Sequence, residues 1–262
     1  MGQVPNHSAL SLSPSYGIIG DGRVAEHMAH YFRLREIPFR VWSRRLSHLP
    51  PATELCQQDI ILVLIKDSAI EKWIDDNPTL QQKTLVHFSG SLVTKKAFGA
   101  HPLMTFGHEL YDLEVYEKIP FIFEEGQKHF DGLRFQNLFP RLKNPSHSIH
   151  HLKKPLYHAY CVMSQNFTTL LWQKFFKELE SQFHIPSDAA KPILEQTLIN
   201  LLKNPEASLT GPLARADMKT IQANIESLKD DSFQNVYEAF VSAHKKDQLT
   251  TTPRPYHLEA GV

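Results

Sequence analysis

The chain has 262 residues, 42% of them hydrophobic and 21% charged, which is the make-up of an ordinary globular protein and excludes a disordered or fibrous one. Its 28 basic and 28 acidic side chains cancel, removing the cationic field that a nucleic acid or an anionic membrane surface would attract. Two cysteines, Cys56 and Cys161, are too few for a zinc knuckle, and the 15 histidines are scattered without ligand spacing, so neither a metal nor a disulfide framework is expected.

Taken in chain order, residues 1–14 are polar, with no basic region ahead of an apolar stretch, and read as a flexible arm rather than a signal peptide. Residues 16–19 read as a strand, followed by a glycine turn and a helix in which Val24, Met28, Ala29 and Phe32 recur at helical spacing. Strands are predicted over 38–42, 60–65 and 84–88, with helical stretches between them. The run 60–65 is the longest aliphatic stretch, far short of the roughly 20 residues that cross a bilayer, and it suits a strand buried on both faces. This alternation predicts an α/β fold: a doubly wound parallel sheet of the Rossmann kind. Residues 119–123 extend the sheet and 126–138 supply its next helix.

The polar segment Asn144-Pro145-Ser146-His147-Ser148 marks the expected boundary between a nucleotide-binding domain over 15–147 and an all-α C-terminal domain over 148–248. No strand is expected beyond it. The second domain reads as helices over 155–183, 192–202, 218–228 and 232–243, and 249–262 as a tail. Its apolar faces need covering, and a homodimer is expected. With no targeting or membrane-spanning segment in view, the expected compartment is the cytoplasm.

Gly20-Asp21-Gly22-Arg23-Val24-Ala25 matches GxGxxA between a strand and a helix. The first glycine permits a tight turn, the second lets backbone approach a pyrophosphate, and a small last residue lets helix and strand pack closely. Free N–H groups at the helix start, Arg23 and Val24 among them, would hold the anion. An acidic residue at the end of the second strand would select the ribose of NAD; here Trp42-Ser43-Arg44-Arg45 stands there. Ser43, Arg44 and Arg45 suit a ribose phosphate, and Trp42 or an arginine plane suits stacking on adenine, which points to NADP. The alternative for the arginines is a solvated turn.

Ligands of open parallel sheets bind beyond the carboxyl ends of the strands. That places Lys66, Ser89 and His101 among the candidates, Lys66 for the cofactor and the other two for chemistry. Ser89 has a structural alternative as a turn or cap residue, and His101 as a loop histidine before Pro102. Further on, Lys154, His158, Val162 and Asn166 share one broad helical face. His158 suits proton transfer, with Asn166 beside it.

The glycine turn, His87-Phe88-Ser89-Gly90-Ser91-Leu92, the stretch 101–106, Leu156-Tyr157-His158-Ala159 and the run Leu209-Thr210-Gly211-Pro212-Leu213-Ala214-Arg215-Ala216-Asp217 together resemble the bacterial Rossmann-like proteins whose helical second half is a domain of unknown function. That family is similar in architecture to pyrroline-5-carboxylate reductase, prephenate dehydrogenase and ketopantoate reductase, with a C-terminal part like that of 6-phosphogluconate dehydrogenase. The resemblance implies a reductase that often dimerises. It places Ser89 and His101 where prephenate dehydrogenases keep a serine and a His-Pro histidine. It also implies Arg215 as the cationic anchor for a substrate carboxylate, the alternative being an ion pair with Asp217, and Lys154 as a substrate-binding residue, since hydroxyacid dehydrogenases of this architecture keep a Lys and an Asn on the first long helix.

The expected function is therefore NADPH-dependent reduction of a small 2-oxo acid, ketopantoate being the specific expectation. The rivals are an imine or other hydroxyacid oxidoreductase and a non-catalytic NADP-binding regulatory protein.

Overall fold

The computed structural model describes residues 14–130 and 132–250; all of the expected arm but Pro14, and most of the expected tail, lie outside them. Seven strands form one sheet: β1 (Tyr16–Ile19), β2 (Phe39–Trp42), β3 (Ile60–Val63), β4 (Thr84–His87), β5 (Phe98–Pro102), β6 (Phe121–Glu125) and β7 (Ser146–His150). Their order is β2-β1-β3-β4-β5-β6-β7. Strands β1 to β5 are parallel neighbours, β6 runs antiparallel to β5, and β7 is parallel to β6. The fold is the expected α/β one, a Rossmann-like sheet followed by helices.

Strand β3 shows why an unbroken aliphatic run is required. Ile60 and Leu62 enter one buried cluster, rich in aromatic rings, while Ile61 and Val63 enter another on the opposite face. A strand covered on both sides has no polar face to alternate with. Helix α1 (Arg23–Leu34) covers the aromatic side, burying Ala25, Met28, Ala29 and Phe32 at helical spacing. Short α2 (Pro51–Glu54) and the longer α3 (Asp67–Asp76) follow β2 and β3. Ile70 and Ile74 of α3 join the second cluster, with Leu55, just past α2.

Three sequence expectations need correction. Residues 98–102, expected as a loop around His101, form β5; their Phe-Gly-Ala-His-Pro composition carries no β-branched residue and hides the strand. Residues 146–150 form β7 although a boundary was expected there; as an edge strand it is mostly exposed and has a single aliphatic side chain, Ile149. Instead of one helix over 126–138 there is a 3-10 turn at Lys128–Phe130 and one turn of helix, α5 (Phe135–Leu138), after the equally short α4 (Leu113–Glu117).

The described residues fall into two compact units that divide between Trp172 and Gln173, some 25 residues beyond the boundary placed by composition. The first unit holds the sheet and α6 (Lys154–Val162), which continues through a π-helical turn (Met163–Phe167) into α7 (Thr168–Ser181). The second holds α7 from Gln173 onward, α8 (Lys191–Lys203), α9 (Gly211–Ala214), α10 (Met218–Ser227) and α11 (Gln234–Thr250). Within it, Lys174 bridges Glu178 at 3.1 Å and Asp231 at 2.7 Å. No helix among the described residues is long and apolar enough to cross a membrane.

Candidate active site

The turn after β1 is built as the glycines dictate. Gly20 has φ +121°, and a Cβ there would sit 2.3 Å from the Leu64 carbonyl oxygen, so glycine is required. Its N–H donates to the Trp42 carbonyl at 2.9 Å, fixing the turn to the end of β2. Gly22 is different. It caps α1 without a side-chain hydrogen bond and has no heavy atom within 4 Å of its Cβ position. Open space thus faces helix N–H groups that no side chain satisfies, which is the arrangement an anion needs.

A cleft of about 550 Å³ opens there, lined by Gly20, Gly22, Arg23, Val24, Arg44 and Lys66 and, further along, by Ser89 and His101. Arg44 and Lys66 are exposed cations at its rim. The neighbouring predicted residues are engaged elsewhere. Arg45 Nε donates to Asp21 Oδ2 at 2.9 Å and Ser43 Oγ donates to the same oxygen at 3.1 Å. Arg45 holds the Asp21 carboxyl below the usual range, so the carboxylate between the two glycines stays ionised and paired with that guanidinium. Trp42 donates to the Leu49 carbonyl at 2.9 Å and packs near Trp73, which occupies the ring suggested for adenine stacking.

A second cleft, of about 570 Å³, is lined by His158, Cys161, Gln165 and Asn166 together with residues 103–106. Arg23, Val24, His101, Met104 and Phe106 line both clefts, so the two adjoin within the first unit. Arg23 also donates to the Phe106 carbonyl at 3.3 Å, linking the helix start to the loop that borders both.

At the junction, His101 Nδ1 lies 2.8 Å from Tyr157 Oη. A Cβ on Gly90 would stand 3.1 Å from His101 Nε2 and 3.1 Å from His158 Nε2, and 2.3 Å from His158 Cδ2. Both imidazoles therefore crowd the bare face of Gly90, and only glycine admits the His158 ring there. Burial pushes His101 down to about 4, with His158 and Lys154 adding repulsion. Burial, with Cys161 next, pushes the Tyr157 phenol up, so it stays protonated.

Ser89 is almost fully buried and its hydroxyl is committed. It donates to Asp67 Oδ2 at 2.5 Å and accepts from the N–H groups of Ser91 (3.3 Å) and Leu92 (2.9 Å). The bonds pin the turn after β4 to the start of α3, the cap role that serine commonly takes.

Lys154 does not line either cleft, and this corrects its expected role as a substrate anchor. Its ammonium forms an ion pair with Glu124 and donates to the Leu92 carbonyl at 2.6 Å, with both charged side chains almost completely buried. Gly99 makes room for the pair, since a Cβ there would meet Glu124 Oε1 at 2.0 Å. Its helical periodicity with His158 is real, but the face of α6 turns from core to cleft between the two.

His87 lies fully buried 3.9 Å from Glu124 Oε1. Its Nδ1 accepts from the Ser89 N–H, and its Nε2 has no hydrogen-bond partner. Burial, then Lys154 and His101, push His87 down to about 3.

Arg215 sits at the exposed end of α9 in the second unit. Asp217, the alternative ion-pair partner, instead caps α10 through Thr220 N (3.1 Å) and Oγ1 (2.7 Å). Among the described residues there is no group of three or more His, Cys, Asp or Glu side chains arranged to hold a metal.

The residues missed from sequence are Gly90, Tyr157, Glu124 and His87. Glu124 left a trace, the first of two acids directly following Phe121-Ile122-Phe123, which in a buried strand demands a partner. Tyr157 left none.

A solved structure from Bacteroides fragilis, provisionally named an NADP oxidoreductase, superposes with a TM-score of 0.70 over 90% of this chain and 99% of its own, at 20% identity. The fold is that of known NADP-bound reductases. An imine reductase from Myxococcus stipitatus in complex with NADP+ (TM-score 0.59, 12% identity, 90% of this chain and 94% of its own) shares it. So does Plasmodium falciparum pyrroline carboxylate reductase with NADP bound (0.57, 14%, 89% and 97%). A domain of unknown function, DUF2520, matches residues 119–244, in line with the helical second half implied by the resemblance. No curated protein matches the chain.

Proposed function

We propose that the protein is an NADPH-dependent reductase of a small C=N or C=O compound, with a cyclic imine ahead of ketopantoate as substrate. The observation that carries the reading is that two clefts adjoin and share five lining residues, one at the uncapped N-terminus of α1 and the other lined by His158 and Asn166.

The residues present fit the cofactor. Gly20 and Gly22 leave backbone bare where a pyrophosphate approaches, α1 offers its N–H groups, and Arg44 and Lys66 stand at the rim for a ribose phosphate. When bound, NADPH supplies the hydride. The protein's own part is to orient the acceptor and deliver one proton to the nitrogen or oxygen that receives the π electron pair. His158 is the donor in this scheme, and Asn166 and Gln165 position the substrate with their amides. The preference for an imine rests on Lys154, whose ammonium is committed to Glu124 and so is unavailable to a substrate carboxylate, and on two NADP-bound structural neighbours, an imine reductase and a pyrroline carboxylate reductase.

Calorimetric titration with NADPH and NADP+, followed by NADPH oxidation against cyclic imines and ketopantoate, tests the reading. Heat of binding and turnover of an imine are expected; no binding of either coenzyme form overturns it. A non-catalytic nucleotide-binding protein would bind and turn over nothing.

The protein is also proposed to self-associate. On α8, Ile193, Leu198, Ile199 and Leu202 are each more than half exposed, and none of the helix's residues is buried. A second copy would cover this apolar stripe. Sedimentation equilibrium should give twice the chain mass, and Leu202→Asp should return the monomer; a monomeric parent protein refutes the proposal.

A further inference from the structure

We propose that Tyr157 is a positioning residue that fixes His101 as its Nε2–H tautomer, so that a neutral imidazole N–H, and not an imidazolium, is presented beside His158 at the cleft. The inference deepens the reductase reading and rests on it for its catalytic consequence.

The geometry has three parts. The phenol and His101 Nδ1 are 2.8 Å apart, a distance that demands one proton between them. Tyr157 can donate that proton either to the imidazole nitrogen or to the sulfur of Cys161, its other neighbour. An imidazole nitrogen is much the better acceptor, and a thiol can serve as the weak donor to the phenol oxygen. Tyr157 therefore donates to His101 Nδ1, and the ring's remaining proton must sit on Nε2. No protein group accepts from Nε2 among the described residues, and this atom shares the bare face of Gly90 with His158 Nε2.

The surroundings keep the ring neutral. His158, from the same helix as Tyr157, and the buried Lys154 both disfavour a further positive charge on His101. Glu124 of β6 is committed to Lys154 and accepts from Gln127. The Asp67 carboxylate is held by Ser89. Burial acts in the same sense as these charges. A neutral imidazole N–H donates a hydrogen bond without giving up its proton, which polarises a C=N or C=O bond while a second group delivers the proton. His101 and His158 thereby divide the two tasks.

The experiment is long-range 1H–15N correlation on the labelled full-length protein, with His101→Gln to assign the signal, paired with steady-state NADPH oxidation by the wild type and Tyr157→Phe. The wild type should show His101 as the Nε2–H tautomer from pH 8 to pH 5. Tyr157→Phe should give a tautomer mixture that titrates at higher pH, with kcat reduced at least about tenfold and KM little changed. An Nδ1–H tautomer in the wild type, or a protonated ring at pH 7, overturns the proposal. So does a Tyr157→Phe protein with the wild-type kcat. The spectrum is recorded without coenzyme or substrate, so a failure of the reductase reading, seen as absent NADPH binding, is separate from a failure of the tautomer assignment.

Discussion

Lys154 on α6 and Glu124 on β6 form an ion pair in which both side chains are at most 2% exposed, and this pair fastens the N-terminal turn of the helix that carries Tyr157 and His158 to the sheet. Removing one partner leaves an uncompensated buried charge, a loss of about 3–5 kcal/mol, whereas replacing both by apolar groups can be near neutral. Lys154→Met should therefore lower the urea midpoint strongly, and Lys154→Met with Glu124→Leu should recover most of it. Additive losses in the double variant would show that the pair does not act as a unit.

Acid should destabilise the protein in a defined window. His101 and His87 fall from an ordinary value near 6.5 to about 4 and about 3 in the folded state. Between those values the unfolded chain binds more protons than the folded one, so their contribution is fully present above pH 6.5. It is lost as pH falls from 6.5 towards 4 and below, by an amount on the order of several kcal/mol in total. Chemical denaturation across pH 4 to 8 should show a plateau above 7 and a decline below 6.5, shallower in His87→Asn. A midpoint independent of pH over this range would contradict the burial of both rings.

Coenzyme selection should depend unequally on the adjacent arginines. Arg44 lines the first cleft, while Arg45 is held by Asp21. Arg44→Ala should weaken NADPH about tenfold or more and NADH little, the scale of one charge-assisted contact. Arg45→Ala should have the smaller effect on discrimination. Fluorescence titration of the two coenzymes reads both, and equal losses for NADPH and NADH in Arg44→Ala would remove the phosphate contact.

Two glycines should fail in different ways. Gly20→Ala combines a positive φ with a contact of 2.3 Å to the Leu64 carbonyl oxygen, and it should destabilise the fold by about 1–3 kcal/mol or more. Gly90→Ala meets the movable ring of His158, also at 2.3 Å. It should leave the thermal midpoint nearly intact and NADPH bound, yet cut turnover by about tenfold to a hundredfold through displaced imidazoles. Parallel loss of stability in both variants would deny Gly90 its separate role.

Local pattern alone was enough for much of this protein. The double-sided burial of β3, the turn Gly20-Asp21-Gly22 and the apolar stripe of α1 each reflect a constraint acting within a few residues, so spacing and residue type reveal them. Strands β5 and β7 escaped because their pairing depends on neighbours far along the chain and not on their own propensity; Phe98-Gly-Ala-His-Pro has little of it, and Ser146-His-Ser-Ile-His has one aliphatic residue. The site divides in the same way. Helical spacing correctly grouped His158 with Asn166, but which face of Lys154 met water and which met Glu124 was decided only when β6 and α6 came together. The bond between His101 and Tyr157 spans 56 positions, and so do most of the contacts that set proton positions here span distant segments. Periodicity reports which side of an element is apolar; the partner that each polar atom finds is a property of the assembled fold.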